Sequence, residues 1–479
     1  MHSNLAPEVI IVGSGAGGAA AAYRLVNAGH RVLMLEKGRP LPRDGSTLDD
    51  AQVVTEGRFL SKESWIDGGG NAIRPEEHFN VGGKTKWYGA AVLRYSHSEF
   101  QPDAAYSARG WPIGYADLEP YYTEAERLLG ARTFACEPGL RRILDRLSAI
   151  DPAWVSEPLT MALAPAIASN PREATHFDGF ASVAGLKGDA ETSFLTLIEG
   201  EANFTLRTDA EVIELISGPG GAIVGVKLKN QEILHAPVTL LAAGALHSPR
   251  LLSAHLATHP QAAKGLQNVG RNLKKHVLTA MVAISRTRQS DLLRKTMLTT
   301  NEKFPHSSVQ PLGFDAALIA TLIPHFVPRF LARMLGNHAY GFFLQTEDGS
   351  HPDNRVEQRA GDPPVRVMDY DANRTPASQR EHAAFTRAFQ RALLRCGWLS
   401  FTQRVGLNGT AHVDGTLIAG SDPDEAVVDA SGAVYGIGGL YVVDGSILPR
   451  SSRVNPSLSI YAWGMRVAHL LSTKLLAAK

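Results

Sequence analysis

An α/β fold organised on a parallel sheet is what this 479-residue sequence predicts, and three observations carry the expectation. The chain opens with an apolar strand, a glycine turn, an alanine-rich helix and a second apolar strand ending in an acid. A later apolar run, Val238 to Ala242, ends at Ala243-Gly244 in a similar way. Hydrophobic residues make up 44% and charged residues 20%, the balance of a core-forming chain rather than a disordered one.

The elements follow in order. Glu8 to Val12 (EVIIV) reads as a buried strand, Gly13 to Gly18 as a turn, Ala19 to Ala28 as a helix and Arg31 to Glu36 (RVLMLE) as a second strand. Such strand–helix–strand units build parallel sheets with right-handed crossovers. From Lys37 to about Ser107 the pattern dissolves into glycine-rich chain, including Gly68-Gly69-Gly70 and Gly82-Gly83, and long loops of this kind are usually functional. Tyr115 to Leu129 returns to helical spacing. Phe204 to Leu234 is rich in strand residues, with a turn at Gly218 to Gly221. Between Arg286 and Arg404 aromatics, prolines and long side chains increase, which marks a candidate substrate domain. The final seventy residues hold glycines and apolar strands and close with a helix from Pro456 to Leu475. A chain this long exceeds the ~100–200 residues of one domain, so two or three cores are expected.

Charge and cysteine usage exclude several classes. Lys+Arg number 48 against 47 Asp+Glu, so the basic field of a nucleic-acid binder is missing. The basic cluster Arg271 to Lys275 reads as solvated surface. Two cysteines, Cys136 and Cys396, cannot supply a disulfide scaffold, a CxxC pair or a thiolate metal site, and two buried free thiols and no metal are expected. No basic segment followed by an apolar one precedes the first strand, which argues against a secretory signal. The apolar run Ala316 to Pro328, 13 residues with two prolines, is too short to span a bilayer. The longer stretch Ala316 to Leu335 reads as a helix of the substrate domain, and the expected compartment is the cytoplasm.

Gly13-Ser14-Gly15-Ala16-Gly17-Gly18 satisfies G-x-G-x-x-G at positions 13, 15 and 18. Gly13 permits the tight turn, Gly15 lets backbone approach a pyrophosphate, and Gly18 lets helix pack close to strand. Ala16 and the following amides would face the phosphates at a helix N-terminus. Glu36 ends the second strand, where a carboxylate takes ribose hydroxyls. FAD is favoured over NAD because a second candidate contact, Ala243-Gly244, lies far along the chain and the candidate redox groups lie near its end, so the whole chain wraps one long cofactor.

Those groups occupy Gly409 to Ala468, with GTAHVDGT, GLYVVDGSILP and NPSLSIYAWGMRVA. Oxidising an alcohol through flavin moves a hydride to N5 while the hydroxyl proton leaves. A neutral imidazole, with an ordinary pKa of about 6.5, suits that proton, and a neighbouring amide steadies a developing alkoxide. His412 and Asn455 supply the two chemistries. Asn455 reads as the N-cap and Pro456 as the first residue of the final helix, whose dipole would favour negative charge on the flavin N1–C2=O edge. His276 and His469 read as ordinary surface or packing histidines.

With these motifs the sequence resembles the glucose–methanol–choline (GMC) oxidoreductases, FAD-dependent alcohol oxidases and dehydrogenases. The resemblance places the catalytic histidine of H-x-x-G-T on His412, the second catalytic position on Asn455, the flavin-side Asp of V-D-x-S on Asp444 and a backbone contact to adenine on Val212. It places the glycine-rich segment beside the isoalloxazine at Gly82-Gly83. WPIGYADLEPYY, LLAAGALHSPRLL, VGRNLKKH and EDGSHPDNRV agree with the family. It is weakest from about 130 to 180 and from 280 to 340. The implied architecture is a Rossmann-like FAD-binding domain, 1–285 and 405–479, with a substrate domain at 286–404 built on an antiparallel sheet flanked by helices. Where much of the family has G-G-S-S/T and then Asn, this chain has Gly82-Gly83-Lys84-Thr85-Lys86-Trp87-Tyr88-Gly89. Some relatives bond flavin covalently through a histidine here; residues 82–90 hold none, so non-covalent FAD is expected, with Trp87 and Tyr88 packing on the ring or shaping the pocket.

The expected activity is oxidation of a CH–OH group on a sugar, polyol or other small alcohol, with oxygen or a quinone-like compound as acceptor and His412 as general base. The alternative on the same fold is an FAD-containing lyase or photoenzyme. A reductase using two nucleotides would need a second G-x-G-x-x-G, and a short-chain dehydrogenase Tyr-x-x-x-Lys, which none of the 12 tyrosines begins.

Overall fold

The computed structural model describes residues 6–259, 266–323, 327–359, 361 and 364–477. Strands β1 (Val9–Val12) and β2 (Val32–Leu35) sit inside a five-stranded, wholly parallel sheet. Its order is Leu440–Val442, Val238–Leu241, β1, β2, Phe204–Arg207. Every residue of β1, β2 and Val238–Leu241 is buried, as in a sheet covered on both faces.

Helix α1 (Ala16–Asn27) begins three residues before the alanine run suggested, because Gly17 and Gly18 are already helical. The reason is packing. A Cβ added at Gly17 would stand 1.6 Å from the Val443 carbonyl oxygen. On the other side, a Cβ at Gly464 would stand 2.5 Å from the Gly17 carbonyl oxygen. The C-terminal helix Ser457–Ala477 therefore crosses α1 backbone to backbone, at a point that admits no methyl group. Gly18 lies equally close to the turn, its would-be Cβ 2.2 Å from the Gly13 oxygen.

Facing this layer is a six-stranded antiparallel sheet in the order Leu399–Arg404, Val277–Ile284, Ala339–Thr346, Ser307–Pro311, Met297–Asn301, Trp154–Pro158. Two of its strands, 154–158 and 277–284, come from outside the 286–404 block, since long-range pairing leaves no local sequence signal. Helices Pro138–Ile150 and Pro376–Arg395 cover one face, where Leu140, Ile143, Tyr340, Phe342, Phe385 and Phe389 share a core. Alternation sends Phe343 and Gln345 to the opposite face, toward a large cavity.

The irregular stretch from Lys37 is tied down by short pairings. Trp65–Asp67 lies parallel to Val365–Asp369 in a small four-stranded sheet. Val212–Ser217, Ile223–Leu228 and Ile233–His235 form the antiparallel meander that the turn at 218–221 implied.

Three expectations change. Within the Arg271 to Lys275 cluster Arg271 stays at the surface but the two lysines are not solvated: Lys274 is 0% exposed, its ammonium 3.1 Å from the Asn272 carbonyl and 3.9 Å from Asp414, while Lys275 donates to the Gly406 carbonyl at 2.6 Å. Local charge marked this segment as surface, but its partners come from distant loops. The Ala316 to Leu335 stretch forms two short helices, Ala316–Thr321 and Arg329–Gly336, with 324–326 outside the described residues. Cys136 and Cys396 are both free thiols, but only Cys396 is buried. Among the described residues no helix is long and apolar enough to cross a membrane.

Candidate active site

A cavity of about 900 Å³ runs from the carboxyl ends of the parallel strands to the face of the antiparallel sheet. Ligands of open α/β sheets bind in this position. Its nucleotide end is built by the glycine turn. Gly13, at φ +106°, adopts a conformation that favours glycine. A Cβ at Gly15 would meet no protein atom within 4 Å, because it would point into the cavity. Gly15 precedes α1 without any side-chain cap, so the first amides of the helix, beginning at Ala16, are open to an anion.

Glu36 lines the same end at 6% exposure. Its Oε2 accepts from the Ser14 amide and hydroxyl, and its Oε1 from the Gly38 amide at 2.8 Å. The Ser14 hydroxyl in turn accepts from the Gly82 amide at 3.0 Å. This clamps the Gly82-Gly83 segment onto the dinucleotide turn, and a Cβ at Gly83 would be 3.3 Å from Gly15 Cα. Gly83 lines the cavity; Gly82 supports it from behind, and Gly18 packs inside the fold away from it. Val212 lines the wall where its strand begins.

Ala243 and Gly244 border the cavity at the end of Val238–Leu241. Gly244 donates its amide to Asp444 Oδ2 at 2.8 Å, and Ser248 and Ser446 also donate to that carboxylate. Asp444 is thus a cavity-wall residue whose four acceptor directions are occupied by protein donors. Burial pushes its pKa up, against the pull of those hydrogen bonds.

The other end holds His412 and Asn455, both half-buried, with the cavity on their open side. Asn455 Nδ2 is 3.3 Å from His412 Nε2, and Asn455 Oδ1 accepts from Gln310 Nε2 at 2.6 Å. Asn455 is not the N-cap the sequence implied. Ile460 donates to the Pro456 carbonyl at 3.1 Å, so Pro456 takes the cap position and the helix runs Ser457–Ala477. The Asn455 side chain is turned to Gln310 and His412 instead. Burial, followed by the nearby His276, Lys295 and Lys84, pushes the His412 pKa well below its ordinary value.

Sequence reasoning passed over several residues here. His276 is fully buried and its Nδ1 is 2.7 Å from His412 Nδ1. It gets there because Lys274 pairs with Asp414 and Lys275 with Val413 in an antiparallel bridge. The signal was present in VGRNLKKH, but the pairing was not. Lys84 anchors the loop that carries His412 by donating to the Thr410 carbonyl at 2.8 Å. Lys295 borders the cavity, paired with Asp178 at 3.0 Å. Trp87 and Tyr88 line the wall; Trp87 stacks on His78 and Tyr88 donates to the Gly188 carbonyl. Glu63, Glu77 and His247 converge within 4.8 Å of one another. Lys37 and Arg366 already neutralise Glu63, and Arg250 lies 2.8 Å from His247 Nδ1, so the group is an ion-pair network.

These features fit FAD: an uncapped helix N-terminus above a glycine cradle, a buried carboxylate at the strand end, and one long cavity leading to an imidazole. A profile described as FAD dependent oxidoreductase matches residues 8–308, and one described as GMC oxidoreductase matches residues 351–464. The chain is 30% identical to the 6'''-hydroxyparomomycin C oxidase of Streptomyces lividus, over 98% of this chain and 92% of that protein. It is 28% identical to the paromamine 6'-oxidase of Streptomyces fradiae, with the same coverage. Among solved structures, pyridoxine 4-oxidase from Mesorbium loti superposes with a TM-score of 0.71 at 20% identity, over 97% of this chain and 99% of that one.

Proposed function

The chain is a member of the GMC oxidoreductases and binds FAD, and from that premise we propose that it oxidises a carbinol of a sugar-like alcohol with His412 as general base. The observation that carries this reading is the 3.3 Å approach of His412 Nε2 and Asn455 Nδ2 at the cavity wall. When bound, FAD supplies the acceptor for the hydride that leaves the carbinol carbon.

The protein's part is to hold the alcohol and move one proton. A hydroxyl placed between the two side chains receives a hydrogen bond from Asn455 Nδ2 and donates its proton to His412 Nε2. Gln310 fixes the Asn455 amide so that its N–H, not its oxygen, faces the histidine. Gly13, Gly15, Ala16, Glu36, Gly83, Val212, Ala243 and Gly244 hold the dinucleotide, and Asp444 organises the loops that carry Gly244 and Ser446. We take the FAD to be non-covalent, since residues 82–90 contain no histidine. Both Streptomyces relatives are oxidases by name, one of them of paromamine, and the cavity wall offers Gln310, Gln345 and Asp178 to a polar substrate. An amino-sugar hydroxyl is therefore the first substrate class to test.

The test is anaerobic mixing of the yellow holoenzyme with paromamine, simple polyols and aromatic alcohols. Bleaching by one of these, followed by recovery with air or a quinone, is the expected result. A flavin that dithionite bleaches but no alcohol does would remove the oxidoreductase reading in favour of a lyase or photoenzyme.

Two further outcomes follow from the same geometry. Asn455→Ala is expected to slow flavin reduction by up to about 10²-fold, near the lower end for losing one donor to a developing oxyanion. Because Asn455 does not cap the helix, its thermal midpoint should stay close to wild type. The second outcome concerns pH. Since the His412 pKa is lowered, the base stays neutral as pH falls through 6.5 and is lost only well below. The acid limb of kcat/KM should lie below pH 6.5; a half-maximum at or above that value would contradict the assignment.

A further inference from the structure

We propose that His276 is a positioning residue for His412, fixing it as the tautomer with the proton on Nδ1 and a bare Nε2 toward the cavity. The inference rests on the reading of His412 as general base and adds the device that keeps it in the basic form.

The hydrogen-bond directions can be read from a fixed end. His276 Nε2 lies 3.1 Å from the Ser451 carbonyl and 2.9 Å from the Ser452 carbonyl. Carbonyl oxygens only accept, so His276 Nε2 carries a proton. Ser452 is held at φ +64°, an uncommon conformation for a residue with a side chain, in the turn that brings both carbonyls to one ring nitrogen.

His276 is 0% exposed, and burial pushes its pKa below the ordinary value. The two carboxylates that act on it are already engaged. Glu347 pairs with Arg450 and His306, and Glu99 accepts from the Ser452 hydroxyl and the Arg453 amide. The ring is therefore neutral, and with Nε2 protonated its Nδ1 is a bare acceptor. His412 Nδ1, 2.7 Å away, must then be the donor. A neutral imidazole holds one N–H, so His412 Nε2 is left bare.

The far end agrees independently. Gln310 Nε2 donates to Asn455 Oδ1, which turns Asn455 Nδ2 toward His412 Nε2. That contact is favourable only if Nε2 is an acceptor. Every donor in the chain points one way, from Gln310 through Asn455, His412 and His276 to the carbonyls at 451–452, and such chains polarise their members cooperatively. When the substrate O–H bond breaks and the Nε2–H bond forms, the imidazolium keeps its Nδ1–H on His276, which shares the new charge.

The test reads the tautomer directly and needs no substrate. FAD-loaded enzyme carrying 15N-histidine is studied by two-bond 15N–1H NMR, with the His412 signals identified by their loss in His412→Gln. The wild type should show His412 with Nδ1 protonated and Nε2 bare. In His276→Phe, which removes the acceptor, the two His412 nitrogens should shift to values averaged between tautomers. In His276→Asn, whose Oδ1 replaces the acceptor, the wild-type pattern should return. A proton on His412 Nε2 in the wild type would overturn the proposal, as would an unchanged pattern in a folded, FAD-loaded His276→Phe. If that variant fails to fold, the wild-type and His276→Asn spectra decide. The base reading has its own failure, normal flavin reduction in His412→Ala, and that result would not alter the tautomer read from the wild-type spectrum.

Discussion

In the FAD-loaded protein, His412→Ala lowers the rate of anaerobic flavin reduction by an alcohol about 10²–10⁴-fold, the scale on which a positioned general base contributes. Among the described residues no other group beside His412 is placed to replace it. Asn455 and Gln310 are amides and take up no proton near neutral pH. Lys84 is engaged with the Thr410 carbonyl and Lys295 with Asp178. The variant should still purify yellow, because the proposed nucleotide contacts at Gly13, Gly15, Glu36 and Gly83 do not involve His412. Measured by stopped flow, a variant that keeps its FAD and reduces at a near-normal rate would take His412 out of the mechanism.

The second large effect separates two glycines only two residues apart. At Gly15 a new side chain projects into the cavity, where the pyrophosphate of FAD would lie. Gly15→Val should fold with a thermal midpoint near that of FAD-free wild type, yet bind no flavin. At Gly17 a single methyl meets the Val443 carbonyl oxygen at 1.6 Å and its carbonyl carbon at 2.7 Å. Neither atom is a flexible side-chain tip, so backbone has to move. Gly17→Ala is expected to cost about 3 kcal/mol or more, the upper end for overpacking a close-packed interior. Thermal unfolding followed with and without added FAD distinguishes the two. A Gly17→Ala protein as stable as wild type would show that α1 is not packed against the Val443 backbone as described.

What the sequence disclosed is what local pattern encodes. The strand–turn–helix around Gly13, the acid at Glu36 and the histidine in GTAHVDGT are each contained in a few consecutive residues, and the structure sets them along one cavity. The residues passed over share a different property: their roles arise from pairing across the chain. His276 acquires its place from the bridge with Val413 and Asp414, Gln310 from an antiparallel strand, and Gly17 from a helix more than four hundred residues later. Lys274 and Lys275 look solvated in a window of five residues and are buried once the strand from 413 arrives. Asn455 shows the converse. Its position before Pro456 suggested a helix cap, but a side chain serves one geometry at a time, and the tertiary partners Gln310 and His412 hold it.

The central claim is that His412 Nε2 and Asn455 Nδ2 flank the reacting carbinol. The most direct measurement is a crystal structure of the dithionite-reduced holoenzyme soaked with whichever alcohol bleaches it fastest in the anaerobic panel. The account predicts one hydroxyl oxygen within about 2.6–3.2 Å of both nitrogens, on the cavity side of the imidazole. An alcohol bound in the same cavity with its oxidised carbinol out of reach of His412 would contradict it.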